Sequence, residues 1–179
     1  MQLTFTALPK ELFGKKIIYC TFMNREKNIE LAYAILSGLV YLLTSNKIDN
    51  VSYKIRNRNA SSDFSREFSS REIFPTKEDL INYLDHYQEP NKVEYKVDTK
   101  FDVDAVVYFV DDSLKVIPSK IKNIKYTYSI DGNYETFYYL LECDNNWYHE
   151  SKLFNSLEEA KKYRNKLIDS FLEQSERRL

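Results

Sequence analysis

A short pattern is written twice in this chain, eighty residues apart, and it constrains the fold more than any other feature. Residues 71–84 read REIFPTKEDLINYL, and residues 151–164 read SKLFNSLEEAKKYR. Each copy gives an aliphatic residue, a Phe, a hydroxyl residue, and then acids opening an amphipathic run. Thr76 and Ser156 have the chemistry of helix N-caps, because a side-chain oxygen accepts from the unpaired amides of a first turn. Asp79 and Glu159, three residues on, complete a capping-box pattern and put negative charge at the positive end of the helix. Phe74 and Phe154 precede the caps by two positions and are expected to anchor each strand-to-helix corner in a core. The chain is therefore expected to hold two related strand-to-helix modules. The repeat itself carries packing residues and no chemistry.

With 179 residues, 43% of them hydrophobic, the chain has material for one large domain or two small ones. Residues 88–91, around Pro90, read as a linker. This divides the chain into an N-terminal α+β module, residues 1–90, and a second module, residues 91–179, with the two free to pack as one compact unit. In the first, residues 3–6 suit a short strand, and residues 16–23 fit strand or helix. Asn28–Thr44 is apolar on nearly all sides and is predicted as a buried helix. Residues 51–58 alternate at strand period. A polar run at 57–62 predicts a turn, a further strand ends at Phe74, and a helix spans 77–87. In the second module, strands are predicted at 92–97, 105–110, 114–117, 121–130, 134–142 and 147–154. Asp131-Gly132 marks a hairpin turn, and Pro118 marks an edge or a bulge. A helix begins at Leu157, with Ala160, Tyr163, Leu167 and Phe171 at helical spacing, and its last residues, 174–179, are expected to fray.

The formal net charge is -1, which argues against a wholly basic nucleic-acid coat and a wholly acidic DNA mimic. Cys20 and Cys143 lie far apart and read as buried, reduced thiols, with a disulfide possible but unforced. The N-terminus lacks a basic head followed by an apolar run, and the most apolar stretch, residues 29–43, falls short of the ~20 residues that cross a bilayer. No membrane association and a cytoplasmic address are expected. Fifteen Tyr and eleven Phe against three Gly point to an AT-rich gene, as in many low-GC bacteria and their phages.

Catalytic chemistry is thin. His86 and His149 have no local partner at ligand spacing, and both read as structural. No nucleophile elbow, phosphate-cradling loop or dinucleotide fingerprint appears, so no cofactor is expected. Asp98, Asp102, Asp104, Asp111 and Asp112 crowd one region, and Glu94-Tyr95-Lys96 fits half of a nuclease metal site. A metal-dependent nuclease is one reading of them, and solvated loop acids are the other.

Two features bear on binding. Lys115, Lys120, Lys122 and Lys125 occur with no acid among them, beside Tyr126 and Tyr128. Such a strand could follow a phosphate backbone and stack bases, or it could be a solvated edge guarded by lysines. Tyr138, Tyr139, Trp147 and Tyr148 put aromatics on both faces of their strands, which suits either a protein interface or a doubly covered sheet.

The runs AVVYFV, SKIKNIKYTY, FYYLLE and ESKLFNSLEEA, within residues 104–165, resemble the small Src-homology-like or Tudor-like β-barrels of bacterial and phage accessory proteins. The resemblance implies a recognition module and names no ligand. The expected fold is thus α+β, with two strand-to-helix modules, the second a small bent antiparallel β-barrel capped by a C-terminal helix. The expected function is non-catalytic binding of a protein or a protein–nucleic acid complex. Its sharpest form is a phage or mobile-element inhibitor of a host defence complex, of anti-CRISPR or anti-restriction type. The alternatives are a nucleic-acid-binding module using the Lys115, Lys120, Lys122, Lys125, Tyr126 and Tyr128 strand with Trp147 nearby, and a metal-dependent nuclease. Sequence alone sets no oligomeric state.

Overall fold

In the computed structural model, the segment expected to be a buried helix, Asn28–Thr44, is instead a strand of 17 residues. Residues 36–41 of this strand are buried on both faces, and a stretch covered on both sides needs no polar alternation, so it reads as a continuous apolar run. The structure describes residues 1–23, 28–44, 49–56, 67–69, 71–130 and 134–176. The turns expected at 57–62 and at Asp131-Gly132 lie outside the described residues, as do 177–179 of the expected frayed end.

The elements run β1 (Gln2–Ala7), β2 (Lys16–Met23), β3 (Asn28–Thr44), β4 (Asp49–Arg56), β5 (Glu67–Phe68), β6 (Ile73–Phe74), α1 (Lys77–His86), β7 (Val93–Asp98), β8 (Val106–Val110), β9 (Val116–Ser129), β10 (Tyr134–Leu141), β11 (Trp147–His149) and α2 (Leu157–Glu176). Among the described residues the fold is α+β, with two α-helices and a large antiparallel sheet rather than a closed barrel. The runs expected as separate strands at 114–117 and 121–130 are one strand, β9. Pro118 sits in its N-terminal part, opposite Tyr108 of β8, outside the stretches that pair with β3 and β10.

The repeat seen in the sequence extends across the whole chain. β2 to β5 form a meander in which each strand pairs with the next, and β8 to β11 form the same meander. Ile18 of β2 pairs with Phe74, while Tyr108 of β8 bridges to Phe154. Both long strands carry a bulge at the same place. The β3–β4 register slips at Ser37, between Leu36 and Gly38, and the β9–β10 register slips at Lys122, between Ile121 and Asn123. Gly14 and Asp104, both with positive φ, donate their amides to Leu36 and Ile121 at 2.8 Å each. The modules then pair strand with equivalent strand: β1 with β7, where Phe5 faces Tyr95, and β3 with β9, where Tyr41 faces Tyr126. Antiparallel pairing of equivalent strands defines a pseudo-twofold relation.

That relation fixes the core. Phe5 stacks on Tyr41 at 4.3 Å and on Tyr95 at 5.4 Å, with Tyr126 at 5.9 Å, so four rings meet where the modules join. Equivalent ring pairs recur outward: Tyr19 on Phe68 and Phe109 on Tyr148, then Phe74 on Tyr83 and Phe154 on Tyr163. Aromatic pairs in these geometries contribute ~0.5–1.5 kcal/mol each beyond area burial. Where β3 and β9 pair, a Cβ on Gly38 would meet the Tyr128 carbonyl oxygen at 2.4 Å.

The helix caps form as their sequences require. Thr76 accepts from the Asp79 amide at 3.1 Å while the Asp79 carboxylate accepts from the Thr76 amide, a full capping box. Ser156 accepts from the Glu159 amide at 3.2 Å, and Glu159 reaches back to the Asn155 amide instead. Leu80 and Ala160, at matching positions, are buried. Phe74 is fully buried and Phe154 half-buried, so the second corner is the more open.

Candidate functional site

The outer face of β9, β10 and β11 gathers an unusual set of side chains. In an antiparallel sheet, residues directly opposite one another share a face. The register places Lys125 opposite Tyr138 and Tyr138 opposite His149. The next row puts Asn123 opposite Leu140 and Leu140 opposite Trp147. Ile124, Tyr126 and Tyr139 alternate with these and are fully buried, so the Lys125 side faces outward. Lys125 Nζ lies 5.0 Å from the Tyr138 ring and 4.6 Å from the Trp147 ring, within cation–π range of both. His149 meets Tyr138 edge-on at 5.6 Å. Trp147 is 37% exposed, and His149 is exposed.

The turn before β11 fixes this face. The Asp144 carboxylate accepts from the Asn146 amide at 3.0 Å, from the Asn146 side chain at 3.1 Å and from the Tyr148 hydroxyl. Burial alone would raise the Asp144 pKa, but the hydrogen bonds from Tyr148 and Asn146 outweigh it and hold the carboxyl below its usual range. Tyr148 moves the other way, raised by burial first and by its bond to Asp144 second. Trp147 is therefore held between two anchored neighbours. On the far side, His149 Nδ1 accepts from the Ser151 amide at 3.2 Å.

The first module serves as an internal control. Its inward residues match those of the second: Tyr53 stands where Tyr139 does, Phe68 where Tyr148 does, and Tyr41 where Tyr126 does. The residues that alternate with these do not match. By register, Val40 takes the place of Lys125, Ser52 of Tyr138 and Glu67 of Trp147, and Val40 and Ser52 are buried. The first module folds with no aromatic at these three positions.

The residues singled out in the sequence are thus divided. Lys125 and Trp147 come together. Lys120 and Lys122 are exposed on the same strand, Lys122 at the bulge, and Lys115 is exposed in the turn before it. Tyr126 is fully buried and cannot stack a base, and Tyr128 turns inward, its ring against Phe13 at 5.2 Å. The period-2 alternation of a strand requires this: residues one and three positions after an outward Lys125 point the other way. Tyr138 and His149 are the members that the lysine pattern misses. Tyr138 is visible only as one of several aromatics on β10, and His149 reads as structural.

The acids weighed as half of a metal site or as solvated loop acids take local roles. Asp102 pairs with the N-terminal ammonium at 2.8 Å, Glu94 with Lys96 at 3.1 Å, and Asp111 accepts from the Ser113 and Lys115 amides. Among the described residues, no group of three His, Cys, Asp or Glu is placed to hold a metal ion. Cys20 is buried, with its thiol pKa raised by burial and then by Glu72, whereas Cys143 is exposed, contrary to expectation, and both thiols are free. Among the described residues, no helix is long and apolar enough to cross a membrane. Compared with known proteins, the chain matches no protein-family model, no curated protein and no solved structure.

Proposed function

We propose that this is a non-catalytic binding protein that engages a macromolecular partner, most directly a protein, through the Lys125, Tyr138, Trp147 and His149 face. One observation carries the reading: the aromatic set is outward, half-exposed and missing from a sister module with the same topology. Trp and Tyr are the side chains that most often anchor protein interfaces, since they offer large stiff contact area at low entropic cost. The sharper form, an inhibitor of a host defence complex of anti-CRISPR or anti-restriction type, rests on the AT-rich composition and on analogy with phage accessory proteins. The test is affinity capture from the host with wild type and with Trp147→Ala. A partner retained by wild type and lost with the folded variant supports the reading, and equal capture by both refutes it.

A second reading draws on Lys120, Lys122 and Lys125 lying along one strand beside Trp147, an arrangement that suits a single-stranded nucleic acid. It requires native binding that weakens steeply with salt and disappears in the triple Lys→Glu variant. The net charge of -1 favours the protein partner.

A further inference from the structure

β7 leaves one edge open. The Thr99 amide donates to the Met1 carbonyl at 2.9 Å, one step beyond the register in which Gln2 faces Asp98. Hydrogen-bonded pairs recur at every second residue of an antiparallel ladder, so the bonds between β1 and β7 fall at Val93, Tyr95 and Val97. The amides and carbonyls of Glu94, Lys96 and Asp98 therefore point away from β1, and among the described residues no other strand pairs with β7. The side chains along this edge alternate in sign. Glu94, Lys96 and Asp98 are exposed, with Lys92 half-buried just before them, while Tyr95 and Val97 turn the other way and pack on the core. A row of lysines guards an edge against a further strand. A row of alternating sign does not, when the further strand is its own antiparallel copy.

From this we infer that β7 pairs with β7 of a second copy of this chain, antiparallel and centred on Tyr95, joining two ribbons into one four-stranded sheet. In that register Glu94 stands opposite Lys96 of the second copy, Lys92 opposite its Asp98 and Val93 opposite its Val97. A slip by two residues is the smallest that keeps the outward amides paired, and it moves the centre to Glu94 or to Lys96. The first sets Glu94 on Glu94 and Lys92 on Lys96, and the second sets Lys96 on Lys96 and Glu94 on Asp98. Like charges directly opposite one another are destabilising and opposite charges stabilising, so both slips are disfavoured. Larger slips leave half of β7 or more unpaired. Charge therefore selects one register. Glu94 and Lys96 already meet at 3.1 Å within the strand, both over half exposed, and in the dimer two such pairs close a square of alternating charge. Lys92 is held by Glu89, and Asp98 accepts from the Gln2 side chain at 3.4 Å, so the inner four charges set the register. A four-stranded sheet is also stable where a two-stranded ribbon is marginal. The edge is separate from the aromatic face on β9, β10 and β11, so the inference stands or falls apart from the proposed function.

The test is the mass of the full chain in solution, by light scattering across the micromolar range, with amide exchange followed by nuclear magnetic resonance. A dimer is expected that weakens with added salt, since the paired charges are exposed. The Glu94, Lys96 and Asp98 amides should become protected as concentration rises, while those of Val93, Tyr95 and Val97 are protected throughout. Lys96→Glu and Glu94→Lys each bring four like charges together and should weaken association about tenfold or more. Mixing the two variants is the discriminating step, because it restores an opposite charge at every inner position and should recover association near wild-type strength. A monomeric wild type, a dimer whose outward amides exchange freely, single variants that associate as the wild type does, or a mixture that stays monomeric overturns the inference. Circular dichroism checks the fold. Should a single variant fail to fold, the double exchange of Glu94→Lys with Lys96→Glu decides: it should associate with itself and not with wild type, and free mixing with wild type overturns the inference.

Discussion

Tyr53 and Tyr139 occupy equivalent positions, are both fully buried, and should respond oppositely to loss of the hydroxyl. The Tyr53 oxygen accepts from the Leu8 amide at 2.9 Å, just after β1 ends. The Tyr139 oxygen lies near the Lys100 and Phe101 amides without forming a hydrogen bond of normal geometry. Tyr53→Phe leaves the Leu8 amide buried without an acceptor, which costs about 1–3 kcal/mol. Tyr139→Phe removes a polar atom already desolvated without a partner, so the change is about zero or stabilising by up to about 1 kcal/mol. The two variants should therefore differ by about 1–4 kcal/mol although they delete the same atom from the same fold position. Urea unfolding measures this directly, with both variants sharing the wild-type slope. At ~2–4 °C per kcal/mol for a chain of this size, Tyr53→Phe melts about 2 °C or more below Tyr139→Phe. Equal losses, or a larger loss for Tyr139→Phe, would falsify the assignment of the Leu8 bond as the feature that distinguishes the sites.

Three further outcomes are expected. Burial pushes the Tyr53, Tyr95 and Tyr139 hydroxyls up to about 12; because these folded values lie above the unfolded one, the stability they contribute is complete below about pH 10 and is lost as pH rises through about 12. The share of the tyrosine absorbance change that comes from the buried rings should therefore coincide with alkaline unfolding instead of preceding it. Gly38→Ala should cost about 2 kcal/mol or more, since its Cβ would meet the Tyr128 carbonyl, whereas Asp104→Gly, at φ 66, should gain up to about 1 kcal/mol by relieving left-handed strain; denaturant midpoints read both. Thr76→Ala should cost about 1 kcal/mol by removing the only oxygen that receives the Asp79 amide, a loss visible in the thermal melt.

Much of the fold was legible wherever local chemistry dictates local structure. The caps at Thr76 and Ser156, the Phe at each corner and the alternation of β4 all follow from neighbours in sequence. β3 was not legible, because burial of residues 36–41 on both faces erases the period that separates strand from helix. Ser37-Gly38 within that run is the residue-level trace of the bulge, and it reads equally well as a weak point in a helix. The pairing of β1 with β7 joins Leu3 to Val97 across most of the chain, and no local pattern encodes it. The candidate site was half legible. Lys125 and Trp147 stand out by type, but Tyr126 and Tyr128 were grouped with the lysines by adjacency, and adjacency on a strand means opposite faces. The signal that would have separated them is the internal repeat itself, carried beyond residues 71–84 and 151–164 into the strands.

That repeat also allows a binding prediction that no single-site truncation offers. Replacing Lys125 by Val, Tyr138 by Ser and Trp147 by Glu writes the first module's register-equivalent residues, Val40, Ser52 and Glu67, onto the second. The inward neighbours Ile124, Tyr126, Tyr139 and Tyr148 are untouched, so the core and the Asp144 turn should persist. The stability lost is the pair of cation–π contacts, ~0.5–1 kcal/mol each at exposed sites, with a similar sum from the half-buried Tyr138. The triple variant should thus remain folded, within about 4 kcal/mol of wild type, and keep its near-ultraviolet dichroism apart from the Trp band. Its partner capture should vanish. If the variant unfolds, the outward aromatics belong to the fold of the second module and lose their claim to function. If it folds and still captures the partner, the binding surface lies elsewhere on the chain.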